Sequence, residues 1–342
     1  MADVVQNPNP LVLGRQSVAF PAFRPRWPWI GGDLQTLRNT FTYRPPDFSS
    51  YAAERLLLPM GDGENLWGML NRPQQDQGRP IIILVHGLTG SEDSRNIMTS
   101  AAYHLRRGYP VVRLNLRGAG PSLGKAKGHY HAGRSADIRD AIAALPREIK
   151  TNGVFVAGTS LGGNVVLKFL GENQGTGDII GGASVCAPID LKMAQQQISA
   201  RRNGVYQRHL LETMRSDART FAGEHLPDLE AVLGRIKSVY DFDDQIVAPL
   251  NGFDGAEDYY RRSSAKNVLD AITAPTLLVH PRTDPWVPAR MYLERAWRAD
   301  GALTLLMPPD GGHVGFHARD DAQPWHDRCI GLFLDALTAG RK

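Results

Sequence analysis

The chain has 342 residues, 42% of them hydrophobic and 22% charged, with a net charge of +4 and a pI near 9.1. This balance excludes a disordered or fibrous chain, is enough to bury one large core, and favours one catalytic domain with an insertion over two independent domains. The basic residues lie in scattered pairs (Arg106-Arg107, Arg201-Arg202, Arg261-Arg262) rather than in a stripe, so nucleic-acid binding has little support.

The first residues, MADVVQNPNPLVLGR, have neither a basic start nor a long apolar core, and no secretory signal is read there. The proline-rich stretch up to residue 50 is read as an N-terminal extension. It carries RPRWPWIGG, whose tryptophans are expected to be buried on the domain, with contact to a membrane surface as the alternative. ERLLLP and ENLWGML follow as strands joined by a turn at Asp62-Gly63, a hairpin signal. After Pro80 apolar strands alternate with amphipathic helices: IIILV, a helix around 95 to 107, VVRLNL, a helix around 134 to 145, VFVAG, a helix from 161, and GGASVCAP. Strands apolar on both sides, alternating with helices, predict a mostly parallel sheet covered on both faces. From Asp190 to about 265 the chain turns polar and helical, in MAQQQISARR, YQRHLLETMRS and DLEAVLGRIK, which reads as a helical cap inserted over the strand ends. Alternation resumes with TLLVH, a helix in VPARMYLERAW, LTLLM and a helix around 325 to 338. The organisation expected is therefore an extension (1–50), an α/β core (51–189 and 266–342) and a cap or lid (190–265). The longest apolar runs, such as IIILV, fall far short of the roughly 18 residues that a spanning helix needs.

In an open parallel sheet, ligands bind beyond the carboxyl ends of the strands, so the loops leaving those ends are the place to look for chemistry. The pattern Gly-x-Ser-x-Gly occurs twice, around Ser122 and Ser160, and a chain of this composition shows it by accident in roughly one case in six. Context separates the two. A nucleophile elbow turns from a buried strand directly into a helix, and its glycines let the backbone pass without a Cβ clash. Ser160 has Val154 to Ala157 before it and apolar residues at helical spacing after it. Ser122 is separated from its strand by Arg117 to Gly120, sits beside Pro121, and is followed by GKAKGHYHAG, which has no apolar period.

A serine needs a base, and an imidazole needs an acid to fix its tautomer. The loop PRTDPWVP offers Asp284 and the loop PDGGHVGF offers His313, giving the chain order Ser, Asp, His. Asp190 competes as the acid from one strand earlier, and Asp310 is too near His313 in sequence to orient its ring. His86, His280, His317 and His326 compete as the base: His280 lies in a strand, His326 in the last helix, and His317 one turn beyond His313 if a helix begins there. His86 reads as a loop-shaping residue. The oxyanion donors expected are the amides of Leu161, just after the serine, and Leu88, in the loop that follows IIILV.

No metal or nucleotide cofactor is implied. His-Glu-x-x-His and spaced cysteine clusters are lacking in the sequence, His129-Tyr130-His131 alone is weak, and GAGPSLGKA fails as a phosphate loop at Ala119 and Ala126. Two cysteines, Cys186 and Cys329, are too few for a disulfide framework. Cys186 in GGASVCAPI reads as a small buried hydrophobe, compatible with a reducing cytoplasm.

HGLTGSEDS at 86 to 94, NLRGAGPS at 115 to 122, AGTSLGGN at 157 to 164, RTDPWVP at 282 to 288 and GGHVGF at 312 to 316 together resemble the α/β-hydrolase superfamily. Within it they are similar to the branch of YheT-type bacterial hydrolases and eukaryotic membrane-associated esterases and acylglycerol lipases, over about residues 27 to 335. The resemblance implies an α/β-hydrolase fold and makes Ser122 the structural serine of the superfamily's Arg-Gly-x-Gly-x-Ser turn. In that branch the N-terminal segment reads Asn-x-His-Leu-Gln-Thr, whereas residues 31 to 36 here read GGDLQT, with Asp33 in the histidine's place. The expectation is a cytoplasmic serine carboxylesterase acting on short- to medium-chain acyl esters. The resemblance raises an acylglycerol or phospholipid lipase at a membrane surface as the runner-up. Acyl transfer would use the same residues, and a non-enzymatic scaffold would be favoured by loss of a triad member.

Overall fold

The computed structural model describes residues 11–13, 16–126, 128–173, 178–222, 226, 228–298 and 301–339. The stretch MADVVQNPNP read above lies outside the described residues. A two-stranded ribbon, β1 (Leu11–Leu13) against β2 (Gln16–Val18), precedes helix α1 (Gly32–Thr42).

The eight-stranded sheet starts with the antiparallel pair β3 (Ala52–Pro59) and β4 (Asn65–Arg72), turning at Gly63 with φ 84°. It continues with β5 (Ile81–Val85), β6 (Val111–Leu114), β7 (Val154–Thr159), β8 (Ile179–Val185), β9 (Thr276–Val279) and β10 (Leu303–Leu306). Their spatial order is β10-β9-β8-β7-β5-β6-β4-β3, parallel from β10 to β6. The α/β-hydrolase fold expected from the sequence is the fold observed.

The strand sequences are apolar throughout because both faces are covered, and side chains alternate between the faces. Ile81, Ile83 and Val85 join the core beneath α3 (Ser135–Ala144) and α4 (Leu161–Glu172). Ile82 and Leu84 join the core beneath α2 (Arg95–Arg106) and α9 (Trp325–Thr338). Between β8 and β9 run α5 (Leu191–Ile198), α6 (Gly204–Phe221), α7 (Leu229–Arg235) and α8 (Ala256–Ser263). Leu210, Leu211, Met214, Leu229, Leu233 and Phe242 form a separate apolar cluster there.

Two expectations need correction. In VPARMYLERAW only Arg290–Leu293 is helical. The indole of Trp297 donates to the Tyr292 carbonyl at 2.7 Å, taking the acceptor that a continuing helix would use. The tryptophans of RWPWI are not buried together, for Trp27 is 80% exposed. Phe23 goes inward against Phe316 and Trp325, and a bridge from Pro25 to Ala318 then carries the following residues over the surface.

Candidate active site

The chain leaves β5 to build β6 on one side, then crosses back to add β7 on the other. At that reversal the loops after β5 and β7 diverge and open a crevice above the sheet. His86 to Thr89 follow β5, and Ser160 follows β7.

Ser160 occupies a sharp turn with φ 53° and ψ −126°, a backbone region that side-chain-bearing residues seldom enter. Its amide donates to the Val185 carbonyl at 2.8 Å, and its carbonyl accepts from Gly163 at 2.9 Å, so the turn is held on both sides. Gly162 is required by space: a Cβ there would collide with the His86 carbonyl oxygen and stand 2.6 Å from that of Val85. Ser160 precedes helix α4, the place of an ordinary N-cap, yet its side chain caps nothing. Instead its Oγ lies 2.9 Å from Nε2 of His313.

Nδ1 of His313 lies 3.0 Å from Oδ2 of Asp284. The other carboxylate oxygen of Asp284 accepts the amides of Trp286 at 2.8 Å and Val287 at 3.0 Å. Burial works to raise the Asp284 pKa, but the facing His313 and these hydrogen bonds outweigh it and hold the carboxyl below its ordinary range. The indole of Trp286 stacks on the His313 ring with centroids 4.6 Å apart and planes at 20°. Ser160, His313 and Asp284 thus form one continuous hydrogen-bonded chain.

The competing residues are engaged elsewhere. Ser122 is buried and donates to the Ala119 carbonyl at 2.9 Å. Asp190 caps α5 through the Met193 amide and pairs with Lys266 at 2.6 Å. Asp310 accepts the amides of Gly31 and Gly311. His86 accepts the Leu116 amide on Nε2 at 3.0 Å and faces the Gly87 carbonyl with Nδ1 at 2.8 Å, which makes Nδ1 the protonated nitrogen. Burial lowers its pKa to about 4, against the Gly87 hydrogen bond, so the ring is a neutral brace for the loop. His317 starts no helix; its Nδ1 accepts from Arg38 at 3.1 Å. His280 stacks on Tyr292, and His326 faces Asp327 at 3.5 Å.

The loop after β5 lies against the serine, since a Cβ on Gly87 would stand 3.0 Å from the Ser160 Cβ. In that loop Thr89 has φ 56° and its amide donates to the Tyr130 hydroxyl. Leu161 opens α4, so its amide has no acceptor one turn back within the helix. Among the described residues, Cys186, His280 and Asp284 have metal-like spacing, with ligand atoms within 4.8 Å of one another. Asp284 is taken up by His313 and two amides, and the Cys186 sulfur by the Val314 amide at 3.3 Å.

A cavity, open at its mouth, runs from Ser160 and His313 to Leu210, Met214, Phe221 and Phe242. Asp243 also lines it, donated to by the Tyr260 hydroxyl at 2.6 Å. Sequence reading missed Trp286, Asp243 and the contacts of α1 with the His313 loop. Trp286 had a signal, two residues after Asp284, and α1 had one in the match of Leu34-Gln35-Thr36 to the branch's N-terminal segment.

The family model described as the alpha/beta hydrolase family matches residues 82–324. "Putative esterase YheT" of Escherichia coli (strain K12) is 30% identical over 287 residues, covering 83% of each chain. The monoacylglycerol lipase of Saccharomyces cerevisiae is 27% identical over 77% of this chain and 61% of its own length. Among solved structures, the Pyrococcus furiosus esterase Pf2001 superposes with a TM-score of 0.56 at 18% identity, covering 87% of this chain and 96% of its own.

Proposed function

Because the chain belongs to the alpha/beta hydrolase family and has esterase- and lipase-type relatives, we propose that it is a serine carboxylesterase working through an acyl-enzyme. The observation that carries this reading is the Ser160 hydroxyl aimed at His313 rather than at the helix it precedes.

In this mechanism Ser160 Oγ attacks the ester carbonyl carbon while its proton passes to Nε2 of His313. Asp284 keeps the proton on Nδ1 and stabilises the imidazolium. The amides of Leu88 and Leu161 receive the developing oxyanion, each such donor being worth about two to three orders of magnitude in rate. Collapse of the tetrahedral adduct breaks the ester C–O bond, and His313 protonates the departing alkoxide. Water then repeats the sequence and frees the acid and Ser160. Residues 190–265 act as a cap over the 51–189 and 266–342 core, and the apolar cavity beneath takes the acyl chain, of short to medium length. No cofactor takes part in this chemistry.

A fluorophosphonate probe should label Ser160, as located by peptide mass spectrometry, and His313→Ala should abolish that labelling and ester turnover together. An unlabelled Ser160, or an adduct on Ser122, would sink the reading.

A second reading, an acylglycerol or phospholipid lipase at a membrane surface, is favoured by one observation. Trp27, Ile30, Leu34 and Phe41 are 80%, 51%, 45% and 73% exposed. No helix among the described residues is long and apolar enough to cross a membrane, so such contact would be peripheral. Turnover that jumps when a glyceride substrate passes its solubility limit would support it, and smooth saturation through that limit would exclude it.

A further inference from the structure

The segment Gly31 to Thr36 lies nearly 280 residues before the loop that carries His313, yet the two are bonded throughout. The Thr36 hydroxyl accepts the His313 amide at 2.8 Å and donates to the Gly32 carbonyl at 2.7 Å. Its single proton is therefore committed to Gly32, and its lone pair is fixed towards His313. Gln35, fully buried, grips His317 from both sides, Oε1 accepting its amide at 2.7 Å and Nε2 donating to its carbonyl at 3.2 Å. A Cβ on Gly312 would stand 2.5 Å from Thr36 Oγ1, so the loop backbone lies flush on the helix. The same segment reaches the acid's loop, for the Gly31 amide donates to Asp310, which also accepts the Thr283 hydroxyl.

The loop needs such bracing. Val314, adjacent to His313, has φ 53°, a conformation that a β-branched residue enters only when its surroundings impose it. Thr36 and Gln35 grip the backbone on either side of that strained residue. Their hydrogen bonds go to main-chain groups, not to Ser160 or the ring of His313.

We infer that Thr36 is a positioning residue, holding the His313 main chain so that Nε2 meets Ser160 Oγ, with the adjacent Gln35 as its partner holding His317 four residues further along the loop. This rests on the reading of Ser160 and His313 as nucleophile and base. A displacement of about 1 Å in a reacting group can cost on the order of a hundredfold in rate. Thr36→Val keeps the volume and removes both hydrogen bonds; Thr36→Ser keeps both.

The test is the rate of Ser160 labelling by a fluorophosphonate, with kcat, KM and Tm on a p-nitrophenyl ester for the full chain and each variant. Thr36→Val should lower the labelling rate and kcat about 10- to 100-fold with KM within about twofold, and Thr36→Ser should restore both. If Thr36→Val does not fold, Thr36→Ala carries the same comparison. Labelling of Thr36→Val at the wild-type rate would overturn the inference alone. So would a loss that serine does not restore, or one that only follows a fall in Tm. Absence of labelling in the wild type would instead remove the Ser160 reading, and this inference with it.

Discussion

Gly162 shows how tightly a single residue can be specified. Its hydrogen faces the carbonyl oxygens of Val85 and His86, which no side chain could displace without moving the end of β5. Gly162→Ala should destabilise the fold on the order of 3 kcal/mol or fail to accumulate, measured by urea unfolding. Asp243 gives the opposite kind of prediction. Burial raises its pKa to about 7, against the Tyr260 hydrogen bond, well above the ordinary 3.8. The folded state therefore holds a proton that the unfolded chain releases near pH 4, so the stability this supplies is present below pH 4 and is lost as pH rises through about 7. Asp243→Asn should remove that slope, leaving the variant on the order of 2 kcal/mol more stable than wild type at pH 8 but not at pH 4, by unfolding at both. At this scale the strand-serine-helix context made Ser160 legible, and loop position did so for Asp284 and His313. Asp243 was invisible because its environment is assembled from α8 and the segment after α7, and nothing in the local sequence of either announces a buried carboxyl.

At the scale of elements, α6, α7 and α1 stand apart from the sheet helices, whereas Leu191 of α5 and Ala256, Tyr259 and Tyr260 of α8 join the sheet core. The cluster of Leu211, Met214, Leu233 and Phe242 packs largely on itself, whereas α4 is buried along nearly its whole length. Native-state hydrogen exchange should therefore show α6 and α7 opening at lower free energy than β5, β7 and α4. Equal protection throughout would mean that the two clusters unfold as one. The helices of 190–265 were readable because they stop the strand and helix alternation. Helix α1 was not, and its burial shows why. Gln35 is fully buried while Leu34 and Phe41 are 45% and 73% exposed, the reverse of an amphipathic stripe. A periodicity of apolar residues cannot find a helix that docks through a carboxamide and a hydroxyl.

The whole molecule places its cavity between the sheet with Ser160 on one side and Leu210, Met214 and Phe221 of α6 on the other. An occupant spanning both should couple them. Fluorophosphonates of increasing alkyl length should raise Tm progressively once attached to Ser160, until the cavity is filled. A Tm independent of length would place the chain outside the cavity. The sheet order was legible because parallel strands buried on both faces leave continuous apolar runs, and these were spaced by helices. The pairing of α1 with the last loops was not, since nothing local records a contact between residues 277 positions apart.

That separation bears on synthesis. Thr36 leaves the ribosome early and Gly312 to His317 late, so a growing chain can pair most of its sheet while Thr36 still waits for the loop it will hold. Regain of esterase activity should therefore lag behind recovery of helical signal on refolding. A nascent chain stalled before residue 310 should be compact and inert.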